Sequence, residues 1–148
     1  MSISFYHLTN RPLEKALPHL LAKAHEAGKR VLVKVSDEER MKSLDKTLWT
    51  YAQLAFLPHS SEGLPHPNKQ PILLTVSGEN QNNADIYCIT DGSAAPESDD
   101  YERVIDMFNG QDNDALNAAR GRWQSYNNAE KPLKYYQQTD KGWEEKVG

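Results

Sequence analysis

The stretch Gly28-Lys29-Arg30-Val31-Leu32-Val33-Lys34-Val35-Ser36-Asp37 decides the architecture. Val31 to Val35 is almost continuously apolar, the pattern of a strand covered on both faces in a parallel sheet. Gly28 stops a helix on one side, and Ser36 or Asp37 caps another on the other side. Upstream, Leu13, Leu17, Leu20, Leu21 and Ala24 mark the buried face of a helix that starts near Pro12 and is capped by Thr9 or Asn10. Pro18 sits within it, where it removes one backbone hydrogen bond. Ile3 to Leu8 is β-branched and aromatic and reads as a first strand. Downstream, Met41, Leu44, Leu48 and the Trp49 region give a second helix its apolar side. Strand, helix, strand, helix predicts a βαβ unit. The expected fold is α/β, one domain over residues 1–148: a mostly parallel central sheet flanked by helices, Rossmann-like in topology without a phosphate-binding loop.

Prolines at 58, 65 and 67 make residues 51–70 an irregular loop, with a turn of helix around Tyr51 to Leu54. Pro71 to Val76 and Ala84 to Thr90 read as strands. The segment between them is too short for a crossover helix, which predicts an antiparallel hairpin. Residues 91–100 read as a surface loop, while Tyr101 to Phe108 fits a short helix or a strand equally well. Asp112 to Tyr126 then opens on good N-caps and reads as a helix running to about Asn127.

A chain of 148 residues with net charge −4 suits one domain. Its acidic balance makes the whole protein a poor direct binder of nucleic acid. Cys88, alone in the sequence, cannot form an internal disulfide and reads as a buried strand thiol in a reducing cytoplasm. No basic segment leads into an apolar run, and no stretch is long enough for a bilayer, so a soluble, unprocessed cytoplasmic protein is expected. The turn Thr9-Asn10-Arg11-Pro12 carries no glycine-rich fingerprint, and Gly28-Lys29 precedes a strand rather than a helix. Asp37-Glu38-Glu39 suits a helix N-terminus. His59 and His66 have no second ligand pair at closed-site spacing. No nucleophile motif is visible. Neither catalytic residues nor cofactor nor metal is expected.

In the C-terminal helix, Leu116, Arg120, Trp123 and Asn127 fall on one stripe, with Ala119 beside it and Arg122 nearer Tyr126. Guanidinium forks over an apolar floor suit a short peptide ending in apolar residues and a carboxylate, or an acidic segment. Spacing alone favours a plainer reading, in which Leu116 and Trp123 face the core and the arginines reach solvent.

Several blocks in order resemble the chi subunit of bacterial DNA polymerase III holoenzyme: Phe5-Tyr6-His7-Leu8, Gly28 to Val33, Leu44-Asp45-Lys46-Thr47-Leu48-Trp49, Phe56-Leu57-Pro58-His59 and Arg120-Gly121-Arg122-Trp123. The resemblance runs from Phe5 to Trp143. It implies a non-catalytic α/β accessory subunit that pairs with a psi subunit, reaches the clamp loader through psi, and holds the acidic C-terminal tail of single-stranded DNA-binding protein. DNA is then met only indirectly, and no membrane is involved. Carried onto this sequence, the tail site is Arg120, Arg122 and Trp123, with Leu116, Asn117 and Lys134 as additions. The psi-facing surface is Trp49, Phe56, Leu57 and Pro58. A nucleotide-binding enzyme and a direct single-stranded DNA binder are the alternatives.

Overall fold

A computed structural model describes residues 2–52, 57–96, 100–140 and 142–146. Among the described residues, eight strands form one sheet: β1 (Ser2–Leu8), β2 (Val31–Lys34), β3 (Ser60–Ser61), β4 (Ile72–Thr75), β5 (Ile86–Ile89), β6 (Arg103–Asn109), β7 (Leu133–Thr139) and β8 (Gly142–Lys146). Their order across the sheet is β3-β4-β2-β5-β6-β1-β7-β8. Every pairing is parallel except β7 with β8, an antiparallel edge hairpin. Helices α1 (Leu13–Glu26) and α2 (Glu38–Ala52) cover one face, and α3 (Asn113–Asn128) covers the other. The α/β expectation holds.

The apolar run at the centre behaves as its pattern dictates. Val31 and Val33 pack under α1 and α2, while Leu32 turns to the α3 face. Leu17, Leu21, Leu44 and Leu48 are fully buried against the first face, each worth about 2 kcal/mol of transfer free energy. α1 ends in a Schellman motif: Gly28, at φ +76°, donates to His25 O and Lys29 donates to Ala24 O. Asp37 caps α2, its Oδ1 accepting from Arg40 N at 2.7 Å.

Three expectations are corrected. Residues 71–76 and 84–90 do not form a hairpin, because β4 and β5 both run parallel to β2 and lie on either side of it. The connection crosses β2 without a helix and is held by side chains instead. Glu62 accepts from Val76 N, Ser77 N, Thr75 Oγ1 and Ser77 Oγ, and Asn82 donates to Val31 O and Gln70 O. Second, neither Thr9 nor Asn10 caps α1; Pro12 occupies the N-cap position with no side-chain bond. Third, α2 continues through Tyr51 to Ala52, so Tyr51 belongs to that helix rather than to a separate turn, and Leu54, the end of the expected turn, lies outside the described residues. The stretch 101–108, readable either way, falls on strand β6, which begins at Arg103 and ends at Asn109.

Pro18 stays inside α1 because only Glu14 O loses its partner, within the first two turns. The Cys88 thiol is fully buried, and burial pushes it up to about 12.

Candidate functional site

The C-terminal helix positions the first candidate site. Asp112 caps α3 by accepting from Asp114 N and Ala115 N at 3.0 and 3.3 Å. One face then packs Leu116, Ala119, Trp123 and Tyr126 against the sheet. Trp123 meets Phe5 edge-on at 5.3 Å and Tyr135 at 5.6 Å. Tyr126 fixes the loop after β5, its hydroxyl accepting from Ala95 N at 2.9 Å.

Arg120 sits at the solvent rim of this aromatic floor. It borders a cavity of about 310 Å³ together with Phe108, Ala119, Trp123, Tyr135, Gln137 and Lys146. Arg120 forms no ion pair among the described residues. Lys146, across the cavity, meets Glu144 at 3.3 Å in solvent. Beneath lies His7, whose Nδ1 is 2.6 Å from the Tyr135 hydroxyl. Burial and then the charge of Arg120 hold His7 below its ordinary value, so it stays neutral and adds no competing cation. Burial raises the Tyr135 hydroxyl despite Arg120, keeping it protonated. An apolar slot with cations on two sides can seat an apolar side chain and its neighbouring carboxylates.

Gly110 makes room for this arrangement. A Cβ there would stand 1.8 Å from His7 Nε2 and 2.8 Å from Leu8 O. Its amide also donates to Leu8 O at 2.8 Å.

The other expected tail-site residues separate. Two residues on a helix lie roughly 200° apart, so Arg122 leaves the opposite flank of α3 from Arg120. It is bidentate on Asp106, Nε to Oδ2 at 2.7 Å and a terminal nitrogen to Oδ1 at 3.0 Å, and it also donates to Gly92 O. Asp106 is fully buried. Burial raises its carboxyl and Arg122 opposes the shift. Leu116 is half-buried one turn before Arg120, and Asn117 is exposed. Lys134 alternates with Tyr135 along β7, so it belongs to the α1 side of the sheet, away from the cavity. His7, Phe108, Gln137 and Lys146 were not expected from sequence. The period-2 run Leu133, Tyr135, Gln137 carried a signal for one of them.

The second candidate surface lies at the end of α2. Trp49 is 59% exposed and Leu64 54%, the two exposed large hydrophobic side chains among the described residues. Trp49 leans on the buried His59 ring at 4.8 Å. His59 Nδ1 is 2.9 Å from Leu57 O, and its Nε2 stands 3.3 Å from Asp45 Oδ1. Leu57 is buried in the core behind this surface, Pro58 is half-buried, and Phe56 lies outside the described residues.

A third place is the crevice at the carboxyl ends of β1 and β6, where the chain turns to α1 on one face and α3 on the other, the usual ligand position in open α/β sheets. Here its donors are already taken. Asp112 occupies the α3 N-terminus, and Glu14 accepts from its own backbone amide while pairing with Arg40 at 2.6 Å. In the turn after β1, the amides of Thr9, Asn10 and Arg11 all converge on Gln138 Oε1 at 3.1, 3.1 and 2.9 Å. Among the described residues, no group of three His, Cys, Asp or Glu side chains could hold a metal ion. No helix there is long and apolar enough to cross a membrane.

Comparison with known proteins follows the same line. A family model described as DNA polymerase III chi subunit, HolC, matches residues 1–134. A probable DNA polymerase III subunit chi from Rickettsia prowazekii (strain Madrid E) is 36% identical over 86 residues, which is 58% of this chain and 52% of the relative. The chain thus spans about half the length of that curated relative.

Proposed function

The chain belongs to the DNA polymerase III chi subunit family, and on that premise we propose that it is a non-catalytic accessory subunit joining a psi subunit to the tail of single-stranded DNA-binding protein. Arg120 carries the reading. It is a guanidinium with no ion pair among the described residues, poised over a slot walled by Phe108, Trp123 and Tyr135. An acidic tail ending in an apolar residue would place that side chain in the slot and its carboxylates between Arg120 and Lys146. Leu116 backs the wall, and Asn117 extends the rim toward the N-terminal end of α3. Arg122 acts from behind, holding α3 to β6 through Asp106, and Lys134 lends only long-range charge.

The psi contact is assigned by the resemblance to Trp49 and Phe56, with Leu57 and Pro58 next in sequence; Trp49 is exposed, and Phe56 lies outside the described residues. An exposed indole resting on a buried ring is the kind of preformed anchor that interfaces use. Leu57 supports it from the core. Through psi the protein reaches the clamp loader and acts in the cytoplasm, meeting DNA chiefly through its partners. Against a nucleotide enzyme stands the switch-point crevice, whose anion-binding amides already hold Asp112, Glu14 and Gln138 oxygens.

Calorimetric titration with the C-terminal peptide of the host single-stranded DNA-binding protein tests the tail reading. Saturable, salt-sensitive binding that Arg120→Ala weakens by about tenfold or more is expected, as for a charge-assisted pair. Equal affinity of wild type and Arg120→Ala would overturn it.

A further inference from the structure

The outward ridge of α1 carries charge that neither proposed protein site uses. Of its exposed positions Lys15, His19, Lys23 and Glu26, three are basic and recur every fourth residue, about 6 Å apart along the axis. Arg11, exposed just before the helix, extends the row. Arg11, Lys15 and Lys23 form no ion pair among the described residues, although the chain as a whole is acidic.

Two grooves flank the ridge, and each has an aromatic wall. On one side a cavity of about 290 Å³ lies between Arg11, His19 and Lys23 and the ring of Trp143. On the other, about 340 Å³ opens between Lys15 and His19 and the Tyr51 ring, which meets His19 edge-on at 5.4 Å. Asp140 also lines the first groove, where it accepts from Asn10 Nδ2 at 3.2 Å.

We propose that this ridge is a contact for single-stranded nucleic acid, its cations tracking the phosphates while bases turn into the aromatic-walled grooves. Regularly spaced cations beside stacking platforms are how sequence-tolerant single-strand surfaces are built. An acidic peptide would satisfy the cations and leave the rings without planar partners. The ridge and the Arg120 cavity lie on opposite faces of the β7–β8 hairpin, so both can be filled at once. Contact here is weak by itself. Held beside a coated strand by a protein tether, it gains effective concentration without needing high intrinsic affinity.

The test is fluorescence anisotropy of a labelled oligothymidylate over a salt series, with wild type, Lys15→Ala/Lys23→Ala, and Lys42→Ala/Lys46→Ala as a control on α2. Three phosphate contacts give a log–log salt slope of about −2, and removing two of them brings it to about −0.7. The α2 control should match wild type, and an oligoglutamate of equal charge should bind more weakly. The proposal is overturned by no binding at low salt, by equal losses in both double variants, or by oligoglutamate binding as tightly as the oligonucleotide. None of these outcomes depends on the Arg120 cavity, which the tail peptide reads separately.

Discussion

Replacing Gln138 by Ala should destabilise the protein more than its place on a surface hairpin suggests. Gln138 is buried, and its Oε1 accepts three backbone amides of the turn after β1, while its carbonyl accepts from Thr9 Oγ1 at 2.9 Å. Truncation removes the common acceptor at one stroke. Asn10 and Arg11 are exposed, so water can re-solvate their amides at a small net loss, whereas the half-buried Thr9 amide is orphaned. Summed over the three, the cost is roughly 2–4 kcal/mol. That corresponds to a fall in Tm of roughly 5–12 °C for a domain of this size. Urea unfolding followed by tryptophan fluorescence measures it. Gln138→Glu is the informative partner, because a carboxylate can accept the same three amides with charge assistance. The variant should match or exceed wild type at neutral pH. Its carboxyl would be depressed in the folded state, so the advantage should fade as pH falls through that lowered value. A loss under about 0.5 kcal/mol for Gln138→Ala, the range of an ordinary surface change, would refute the reasoning.

Gly110→Ala should cost roughly 1–3 kcal/mol, since the new methyl meets both the His7 ring and Leu8 O and only the ring can move; unchanged denaturation would show that the turn gives way freely. Arg122→Ala should cost about 3–5 kcal/mol at neutral pH by stranding the buried Asp106 carboxylate, whereas exposed Arg120→Ala should stay within about 0.5 kcal/mol. Because an unpaired Asp106 would titrate higher in the fold than unfolded, the Arg122→Ala deficit should shrink on acidification. Chemical denaturation at two pH values decides this, and a pH-independent deficit would contradict it. In the wild type, burial raises Glu62 and Asp91 but the bonds from Ser77 and Thr75, and from Lys34 and Ser93, outweigh it and hold both carboxyls low. Their contribution is complete above the unfolded carboxylate range near pH 4 and disappears as pH falls through the depressed values. Glu62→Gln should therefore flatten the acid limb of the stability curve, and an unchanged limb would assign the acid sensitivity elsewhere.

The parallel core was legible because Val31 to Val35 admits hardly any other environment, and the α3 boundaries because Asp112 and its following amides form a local capping unit. The two strands flanking β2 fall where their patterns put them, but their pairing does not, for an equally physical reason. Length arguments treat a parallel crossover as a helix, yet residues 76–85 cross as irregular chain pinned by Glu62 and Asn82, contacts long in sequence. The last hairpin carried little signal, since β8 is mostly exposed and charged. Thus helical spacing put Arg120 and Trp123 on one stripe but favoured a plain core face, and it was the family resemblance that singled them out, while Lys146 and Gln137 came to the same cavity through a pairing no local pattern announces. The resemblance grouped Arg122 with Arg120, whereas spacing set Arg122 off the stripe, and neither shows which flank meets a buried carboxylate.

The edge hairpin gives these pieces a common logic. A parallel sheet ends where its last crossover runs out, and here an antiparallel strand closes the edge, leaving one short ribbon with both faces partly open. Period-2 alternation then sends Tyr135, Gln137 and Lys146 to the α3 side and Tyr136 and Trp143 to the α1 side. Two cavities arise back to back, one rimmed by Arg120 and the other by Arg11 and Lys23. Gln138 binds that ribbon to the turn after β1, so its position fixes both. Loosening the hairpin through Gln138 should therefore weaken peptide and single-strand binding together, while Arg120→Ala and Lys15→Ala/Lys23→Ala should each remove one and spare the other.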